Sequence, residues 1–185
     1  MSDNPNDMKQ ANDSEYSILG QTFLSPQQMH QFVQQTNEDA VQLGNYYLTV
    51  GEYYGIRGDV AFAQAMHETD YLRFTGVVKA EQNNFCGLGA TGPDDPGASF
   101  DTPEEGVIAH LQHLYAYAST DSLPDKYPVL DPRFDLVDRG SATTWTALNG
   151  KWAVPGDNYG QLILSLYERM IHTTIEKLEE IVQEI

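Results

Sequence analysis

An apolar segment that ends in a single carboxylate constrains this chain more than any other feature. Residues 58–69 read GDVAFAQAMHET, and apolar or small side chains fill nearly every position from Val60 to Met66. A helix that is apolar all round is typical of the centre of a domain rather than of its surface. A charged residue at the end of such a helix is unusual. The segment therefore predicts a buried central helix that carries Glu68 at its C-terminal end.

Helix signals recur on both sides of this segment. Ser25 followed by Pro26, and Thr102 followed by Pro103, are strong helix starts, because a hydroxyl caps the first turn and proline suits its first position. Gly55 is a typical helix stop. The predicted helices cover residues 26–35, 38–54 with Asn37 as its cap, 58–69, 103–118, 144–148 and a last one from 158 that continues as an acidic amphipathic tail to 185.

One short hairpin is predicted between the third and fourth long helices. Residues 85–90 read as a strand, 97–100 as its return, and the Gly-Pro-Asp-Asp-Pro run at 92–96 as the turn between them. Residues 119–143 are rich in Pro, Asp and Gly and predict a loop, with a helical turn at 132–137. The expected fold class is α+β, mostly helical, with a central buried helix and one small β-hairpin.

The length and the polar N-terminus predict a single domain behind a short lead. We expect residues 1–20 to form a flexible lead and residues 21–185 to form the folded domain. The first residues contain no apolar stretch of the kind that a signal peptide requires, so none is predicted. No segment is long and apolar enough to cross a membrane.

The charge of the chain limits its partners. The formal net charge is −17, and lysine and arginine together number only 10. Such a chain has no basic patch for nucleic acid, and anionic membrane surfaces would repel it. Its lone cysteine, Cys86, excludes an internal disulfide and lies in an apolar run, which favours a buried small side chain over a nucleophile.

Glu68 is the candidate catalytic residue on physical grounds. The negative end of a helix dipole and a poorly solvated setting both disfavour an ionised carboxylate and raise its pKa. A carboxylic acid that stays protonated near neutral pH can donate a proton to a leaving oxygen, as glycoside hydrolysis requires. The alternative is an ordinary helix-end glutamate that pairs with Arg73 or faces solvent.

The string AFAQAMHETDYLRF, followed by NNFCGLGATG, resembles the glucosaminidase family of peptidoglycan hydrolases, glycoside hydrolase family 73. Residues 65–69 match the context of that family's catalytic glutamate, residues 83–87 match its Asn-Asn-Phe-x-Gly run, and Tyr159 fits a late tyrosine of the family pattern. The resemblance covers roughly residues 25–171 and implies a lysozyme-like helical fold.

The resemblance also implies an activity. Family members cleave the β-1,4 bond between N-acetylglucosamine and N-acetylmuramic acid in bacterial cell-wall glycan, and Glu68 would be the general acid. The second group would be a hairpin carboxylate, with Asp94 and Asp95 as first candidates and Asp101 and Glu81 after them, or the acetamido oxygen of the substrate itself. No cofactor is implied, and the expected partner of this monomer is the glycan strand.

Further site residues follow from the same resemblance. Tyr159 would bind the acetamido group or orient the acetal oxygens, or else it is a core tyrosine opposite Trp152. Aromatic side chains suit the apolar faces of sugars, and the asparagines either hold the base of the hairpin or bind an N-acetyl group. The candidate substrate-binding residues are Asn83, Asn84, Phe85, Tyr71 and Trp152.

Three histidines suggest a metal site, which the spacing disfavours. His67-Glu68 is not part of an H-E-x-x-H motif, and His110 and His113 are expected to be an ordinary half-exposed pair on one helix face. No metal is predicted. Two other functions stay open: a muramidase or lytic transglycosylase of the same fold, and a non-catalytic cell-wall-binding module. In each case the expected place of action is the cell wall of a bacterium, for a bacterial or phage protein.

Overall fold

The computed structural model describes residues 17–185, and within them the fold is mostly helical with one small sheet. Three short 3₁₀ helices and a two-stranded antiparallel sheet accompany the α-helices. The α-helices of this region are α1 (Pro26–Gln34), α2 (Gly44–Tyr54), α3 (Gly58–Glu68), α4 (Pro103–Ala118) and α5 (Tyr159–Gln183). The predicted α+β, mostly helical class is confirmed.

Helix α3 is the buried centre that the apolar segment predicts. Every residue from Gly58 to Met66 is buried, and α3 packs against α2 on one side and α5 on another. Helix α2 packs in turn against α1 and α4. Glu68 is the last residue of α3 and lies at the edge of this packed centre, where its side chain is half-buried.

The predicted helix starts at α1 and α4 are confirmed. Ser25 and Gln28 form a reciprocal capping box on α1, and the hydroxyl of Thr102 accepts from the backbone N–H of Glu105 on α4. The predicted start of α2 is wrong, because α2 begins at Gly44. Asn37 does not cap it, since its side-chain amide donates to the carbonyl oxygen of Tyr71 at 3.0 Å.

The hairpin exists, but its strands lie closer to the tip than predicted. Strand β1 (Ala90–Gly92) pairs with β2 (Asp95–Pro96), so the paired residues belong largely to the segment predicted as the turn. The reason is that the chain turns at Gly87 and Gly89, whose φ angles of 67° and 72° are left-handed and end the predicted first strand.

The segments between the long helices are largely irregular. The remaining turns of helix are the 3₁₀ elements Ala80–Gln82, Phe134–Leu136 and Thr146–Leu148, which agrees with the helical turns predicted near 132–137 and 144–148. Helix α5 continues through the predicted acidic tail as far as Gln183. No helix among residues 17–185 is long and apolar enough to cross a membrane.

The start of the described chain packs onto the domain. Of the predicted lead, residues 1–16 lie outside the described region, whereas residues 17–20 make two bridges, Ser17 to Thr144 and Leu19 to Ile56. Ile18 between them is fully buried. The burial of this one apolar side chain fixes the segment against the core.

A buried carboxylate fixes the N-terminal end of α3. Asp59 is fully buried, and its Oδ2 accepts hydrogen bonds from the backbone N–H groups of Phe23 and Leu24 and from the hydroxyl of Tyr167. Burial, together with the negative charge of Asp59, raises the pKa of Tyr167 to about 12. The carboxylate thus ties the segment before α1 and the middle of α5 to the first turn of α3.

Substituting this carboxylate tests whether it holds the helices together. We expect Asp59→Ala to lower the free energy of unfolding by about 3 kcal/mol, because three donors, two of them in buried hydrogen bonds, lose their acceptor at roughly 1 kcal/mol each. Urea unfolding followed by circular dichroism measures the change. Asp39→Ala, at an exposed aspartate, is the control. A loss as small as that of the control would show that the network does not stabilise the fold.

Candidate active site

Glu68 lies beside two aromatic residues from the C-terminal part of the chain. The hydroxyl of Tyr159 donates a short hydrogen bond to Glu68 Oε1. The indole N–H of Trp152, which can only donate, favours the charged form of the carboxylate and lowers its pKa. The alternative pairing with Arg73 does not occur, because that guanidinium bonds to Asp70 Oδ1 at 2.5 Å.

Burial shifts the protonation of Glu68 in the predicted direction. The poorly solvated setting raises its pKa from an ordinary 4.5 to about 6, while the hydrogen bonds from Tyr159 and Trp152 favour the charged form and oppose part of the rise. A group with a pKa near 6 keeps a substantial protonated fraction in mildly acidic solution. Glu68 is therefore able to act as a proton donor there.

Tyr159 reaches Glu68 because α5 begins against a close backbone contact. Gly160 lies so near Trp145 that an added Cβ would sit 2.2 Å from the carbonyl oxygen of that residue. The backbone N–H of Gly160 donates to Asn149 Oδ1 at 2.7 Å, which satisfies one of the free N–H groups of the first turn. The start of α5, and with it Tyr159, is seated by these two contacts.

Tyr159 matches the second of its two predicted descriptions and makes one contact that the sequence did not predict. Its ring is 5% exposed and lies nearly parallel to the ring of Trp152, with centroids 6.4 Å apart and planes 13° apart. It is thus a core tyrosine opposite Trp152. It is also the hydrogen-bond donor to Glu68, so the stacking fixes the ring that delivers the hydroxyl.

The backbone just after Glu68 adopts an unusual conformation that the sequence does not reveal. Asp70, Tyr71 and Leu72 have φ angles of 51°, 57° and 60°, a left-handed turn that costs non-glycine residues roughly 1–2 kcal/mol each. Thr69 supports this turn, since its hydroxyl donates to the carbonyl of Ala65 and accepts from the N–H of Leu72. Such strained turns are concentrated at functional sites.

The base of the hairpin lies beside the other oxygen of Glu68. A Cβ added to Gly87 would be 3.6 Å from Glu68 Oε2, so glycine leaves this oxygen accessible from the hairpin side. The neighbouring Cys86 is buried, and burial and the negative charge of Glu68 raise the pKa of its thiol well above the usual range. This agrees with the predicted role of Cys86 as a buried, unreactive side chain.

Asn84 and Phe85 prove to be structural, which corrects their prediction as substrate-binding residues. Asn84 is fully buried, and its amide bonds to both backbone groups of Leu88 and to the carbonyl of Ala98. Phe85 is 1% exposed and belongs to the core, so its ring has no face for a sugar. Asn83 is half-buried and donates to the carbonyl of Phe100.

The predicted second carboxylates lie on the outer part of the hairpin. Asp94 and Asp95 are exposed, and the hydroxyl of Thr91 donates to Asp95 Oδ2. Asp95 pairs with Gly92 in the sheet, whereas Gly87 at the other end of the same arm approaches Glu68. The lower-ranked candidates Glu81 and Asp101 are also exposed.

Two predicted aromatic residues remain partly accessible. Trp152 is half-buried and packs against the ring of His113, with centroids 4.9 Å apart. Tyr71 is half-buried too, and its hydroxyl accepts from Arg169 at 3.1 Å. Both have the partial exposure that a sugar-stacking side chain needs.

His110 and His113 are buried and hydrogen-bonded, which corrects the prediction that they form a half-exposed pair. His110 bonds to Tyr47 and Gln64, and His113 Nδ1 lies 2.8 Å from Asp131 Oδ2. Helix α4 is buried along most of its length, and this allows both rings inside. Residues 17–185 hold no cluster of three or more histidine, cysteine or acidic side chains suited to a metal ion.

A cavity lies in another part of the molecule, away from Glu68. It has a volume of about 960 Å³ and is lined mainly by the segment from Leu19 to Leu24 and by α5 residues such as Leu164 and Tyr167. Its lining includes neither Glu68 nor Tyr159. The candidate site around Glu68 therefore rests on side-chain geometry and not on cavity size.

Comparison with known proteins identifies the family. A family model described as Glucosaminidase, mannosyl-glycoprotein endo-beta-N-acetylglucosaminidase, matches residues 44–172. This range includes Glu68, Tyr159 and Trp152. The chain belongs to this glucosaminidase family, a family of glycoside hydrolases, as the resemblance predicted.

One relative is an uncharacterised protein from Borreliella burgdorferi. It is 47% identical over 116 residues, which cover 59% of this chain and 56% of the relative. The chain thus spans little more than half the length of that curated relative. No solved structure matches.

The raised pKa of Glu68 predicts a pH-dependent stability. Because the folded-state pKa lies above 4.5, the protonated form favours the fold; this contribution is complete below pH 4.5 and is lost as the pH rises through about 6. We expect Glu68→Gln, which cannot ionise, to gain up to about 2 kcal/mol of stability relative to the parent between pH 4 and pH 8. Urea unfolding at several pH values measures this gain.

Glu81→Gln is the matched control, because it removes the same charge from an exposed position. Its stability relative to the parent should not follow the same rise through pH 6. If both variants show the same pH dependence, or if Glu68→Gln shows none, the burial of Glu68 does not set its pKa.

Proposed function

We propose that this chain is an endo-β-N-acetylglucosaminidase that cleaves the β-1,4 bond between N-acetylglucosamine and N-acetylmuramic acid in peptidoglycan, with Glu68 as the general acid. The observation that carries the proposal is a half-buried carboxylic acid with a pKa of about 6, which accepts a hydrogen bond from Tyr159 at the end of α3. Membership of the glucosaminidase family supports the reaction class.

The geometry gives each oxygen of Glu68 a separate task. Oε1 accepts the hydrogen bond from Tyr159, so the acidic proton resides on Oε2, on the side of Gly87. In the proposed reaction that proton passes to the glycosidic oxygen as the bond from this oxygen to the anomeric carbon breaks. Water then adds to the anomeric carbon and returns a proton to Glu68, which leaves a new reducing N-acetylglucosamine end.

Trp152 and Tyr71 are the proposed sugar-stacking residues. Both rings are partly exposed, and the ring of Trp152 stacks beside Tyr159, the donor to Glu68, so a sugar on Trp152 would lie close to Glu68. Asn83, half-buried at the base of the hairpin, is the proposed amide contact for an N-acetyl group. These contacts are uncharged, which suits a protein with a net charge of −17 that binds a glycan by stacking and hydrogen bonds.

A bacterial relative supports peptidoglycan as the substrate. The family description itself names mannosyl-glycoproteins, whose glycan core contains linked N-acetylglucosamine units. Both substrates present an N-acetylglucosamine on the side of the bond that becomes the reducing end. The bacterial cell wall is accordingly the proposed place of action.

The first test compares variants on purified cell walls. We expect Glu68→Gln to fold and to lose at least a hundredfold in the release of reducing ends, because general acid catalysis contributes about 10²–10⁴-fold. Mass spectrometry of the parent's products should show reducing N-acetylglucosamine ends. Reducing N-acetylmuramic acid would identify a muramidase, and anhydro-N-acetylmuramic acid a lytic transglycosylase.

Asp94→Asn and Asp95→Asn in the same assay test the second catalytic group. A loss as large as that of Glu68→Gln assigns the base to that aspartate. Activity retained in both of these variants, and also in Asp101→Asn and Glu81→Gln, assigns the second role to the substrate's acetamido oxygen. Binding of cell walls by the parent without release of any sugar end contradicts the proposal and leaves a non-catalytic binding module.

The pKa of Glu68 also predicts the pH dependence of the reaction. The acid works only when protonated, so kcat/KM should fall as the pH rises through about 6, and by tenfold per pH unit well above it. Initial rates on solubilised glycan between pH 4 and pH 8 measure the profile. A rate that stays constant up to pH 8 would contradict a general acid with this pKa.

A further inference from the structure

A continuous chain of buried hydrogen bonds leads from α2 to the donor on Glu68. Tyr47 Oη lies 2.9 Å from His110 Nδ1, and His110 Nε2 lies 3.0 Å from Gln64 Oε1. Gln64 Nε2 lies 2.7 Å from Tyr159 Oη, whose proton goes to Glu68 Oε1. Tyr47, Gln64 and His110 are fully buried, so water does not compete for these bonds.

The direction of every bond in this chain is fixed by its chemistry. Gln64 Oε1 can only accept, so His110 carries its proton on Nε2. Burial lowers the pKa of His110 to about 3, so the ring is neutral and its Nδ1 accepts from the hydroxyl of Tyr47. Gln64 Nε2 in turn donates to Tyr159, which commits the proton of Tyr159 to Glu68. Each donor therefore points toward Glu68.

We propose that Tyr47, His110 and Gln64 are positioning residues that hold the Tyr159 hydroxyl as an obligate donor to Glu68 Oε1. This series of hydrogen bonds links α2, α4, α3 and α5, so side chains in the packed centre of the fold orient one hydroxyl. Its consequence is that Oε2 alone carries the acidic proton, on the hairpin side of the carboxyl group. The inference rests on the proposed function of Glu68 as the acid.

The same series of hydrogen bonds also limits how far burial raises the pKa of Glu68. A hydrogen bond to the charged form favours ionisation, and a donor that is itself hydrogen-bonded is a stronger donor. The other titratable groups facing Glu68 are Cys86 on the hairpin side and His67 on α3, whose ring lies 5.8 Å from that of Tyr159. The indole N–H of Trp152 also favours the charged form of Glu68 and lowers its pKa.

The test removes single links and reads the carboxyl group directly. Carbon-13 NMR of protein labelled at the glutamate side-chain carboxyl reports the titration of Glu68, assigned by the signal that Glu68→Gln removes. Tyr47→Phe deletes the first donor, and Gln64→Met deletes the donor to Tyr159 with little change in volume. We expect the pKa of Glu68 to rise by a few tenths of a unit in Tyr47→Phe and by about one unit in Gln64→Met, because the donor to the carboxylate is weakened.

Tyr54→Phe is the matched control. Tyr54 is a buried tyrosine two turns further along α2, and its hydroxyl accepts from Gln112 of α4 at 3.0 Å, outside the chain of bonds. Its loss should lower stability and leave the pKa of Glu68 unchanged. A purely structural role for Tyr47 predicts the same for Tyr47→Phe, so an unchanged titration in that variant overturns the proposal even if Gln64→Met fails to fold.

Kinetics separate this inference from the proposed function. In Tyr47→Phe we expect kcat to fall while KM stays unchanged. We also expect the alkaline limb of the pH–rate profile to shift to higher pH, together with the pKa of Glu68. If the parent cleaves no glycan, the proposed function fails while the NMR titration still decides whether the chain of bonds acts on Glu68. If the parent is active and the titrations of Tyr47→Phe and Gln64→Met match that of the parent, the positioning proposal alone fails.

Discussion

The hydrogen bond from Tyr159 to Glu68 is the interaction on which the candidate site depends. It joins the C-terminal end of α3 to the N-terminal end of α5, across 91 residues of sequence. Each partner is held by its own helix: Glu68 by the buried packing of α3, and Tyr159 by the close seat of Gly160 against Trp145. Because both side chains are held by their helices, little conformational entropy is lost when the hydroxyl of Tyr159 bonds to the carboxylate of Glu68.

Burial raises the pKa of Glu68, which suits the proposed role of general acid. The same burial makes the ionised form of Glu68 unfavourable for the stability of the fold. A desolvated carboxylate raises its own pKa and weakens the fold once it ionises. The network around Asp59 at the opposite end of α3 shows the contrasting arrangement, in which three donors surround a buried carboxylate. One helix thus carries a carboxylate with several hydrogen-bond donors at its start and, at its end, a carboxylate with fewer donors that is the proposed acid.

The sequence predicted what local patterns encode and missed what depends on long-range packing. The all-round apolar run was sufficient to predict the central helix, and capping residues were sufficient for the starts of α1 and α4. The motif context singled out Glu68 and Tyr159, which the structure joins by a hydrogen bond. The hairpin strands were misplaced, because left-handed glycines at 87 and 89 interrupt an apolar run that reads as a strand. The buried His110 was missed, because its partners Tyr47 and Gln64 lie on other helices and no local pattern joins them.

The most direct test of this account is a crystal structure of Glu68→Gln with a bound peptidoglycan tetrasaccharide. The measurement is the distance from the side-chain amide at position 68 to the glycosidic oxygen between N-acetylglucosamine and N-acetylmuramic acid. The account predicts about 3 Å, approached from the Gly87 side, with a sugar ring on Trp152. A tetrasaccharide bound elsewhere, or with that oxygen well beyond hydrogen-bond reach of position 68, would contradict Glu68 as the general acid.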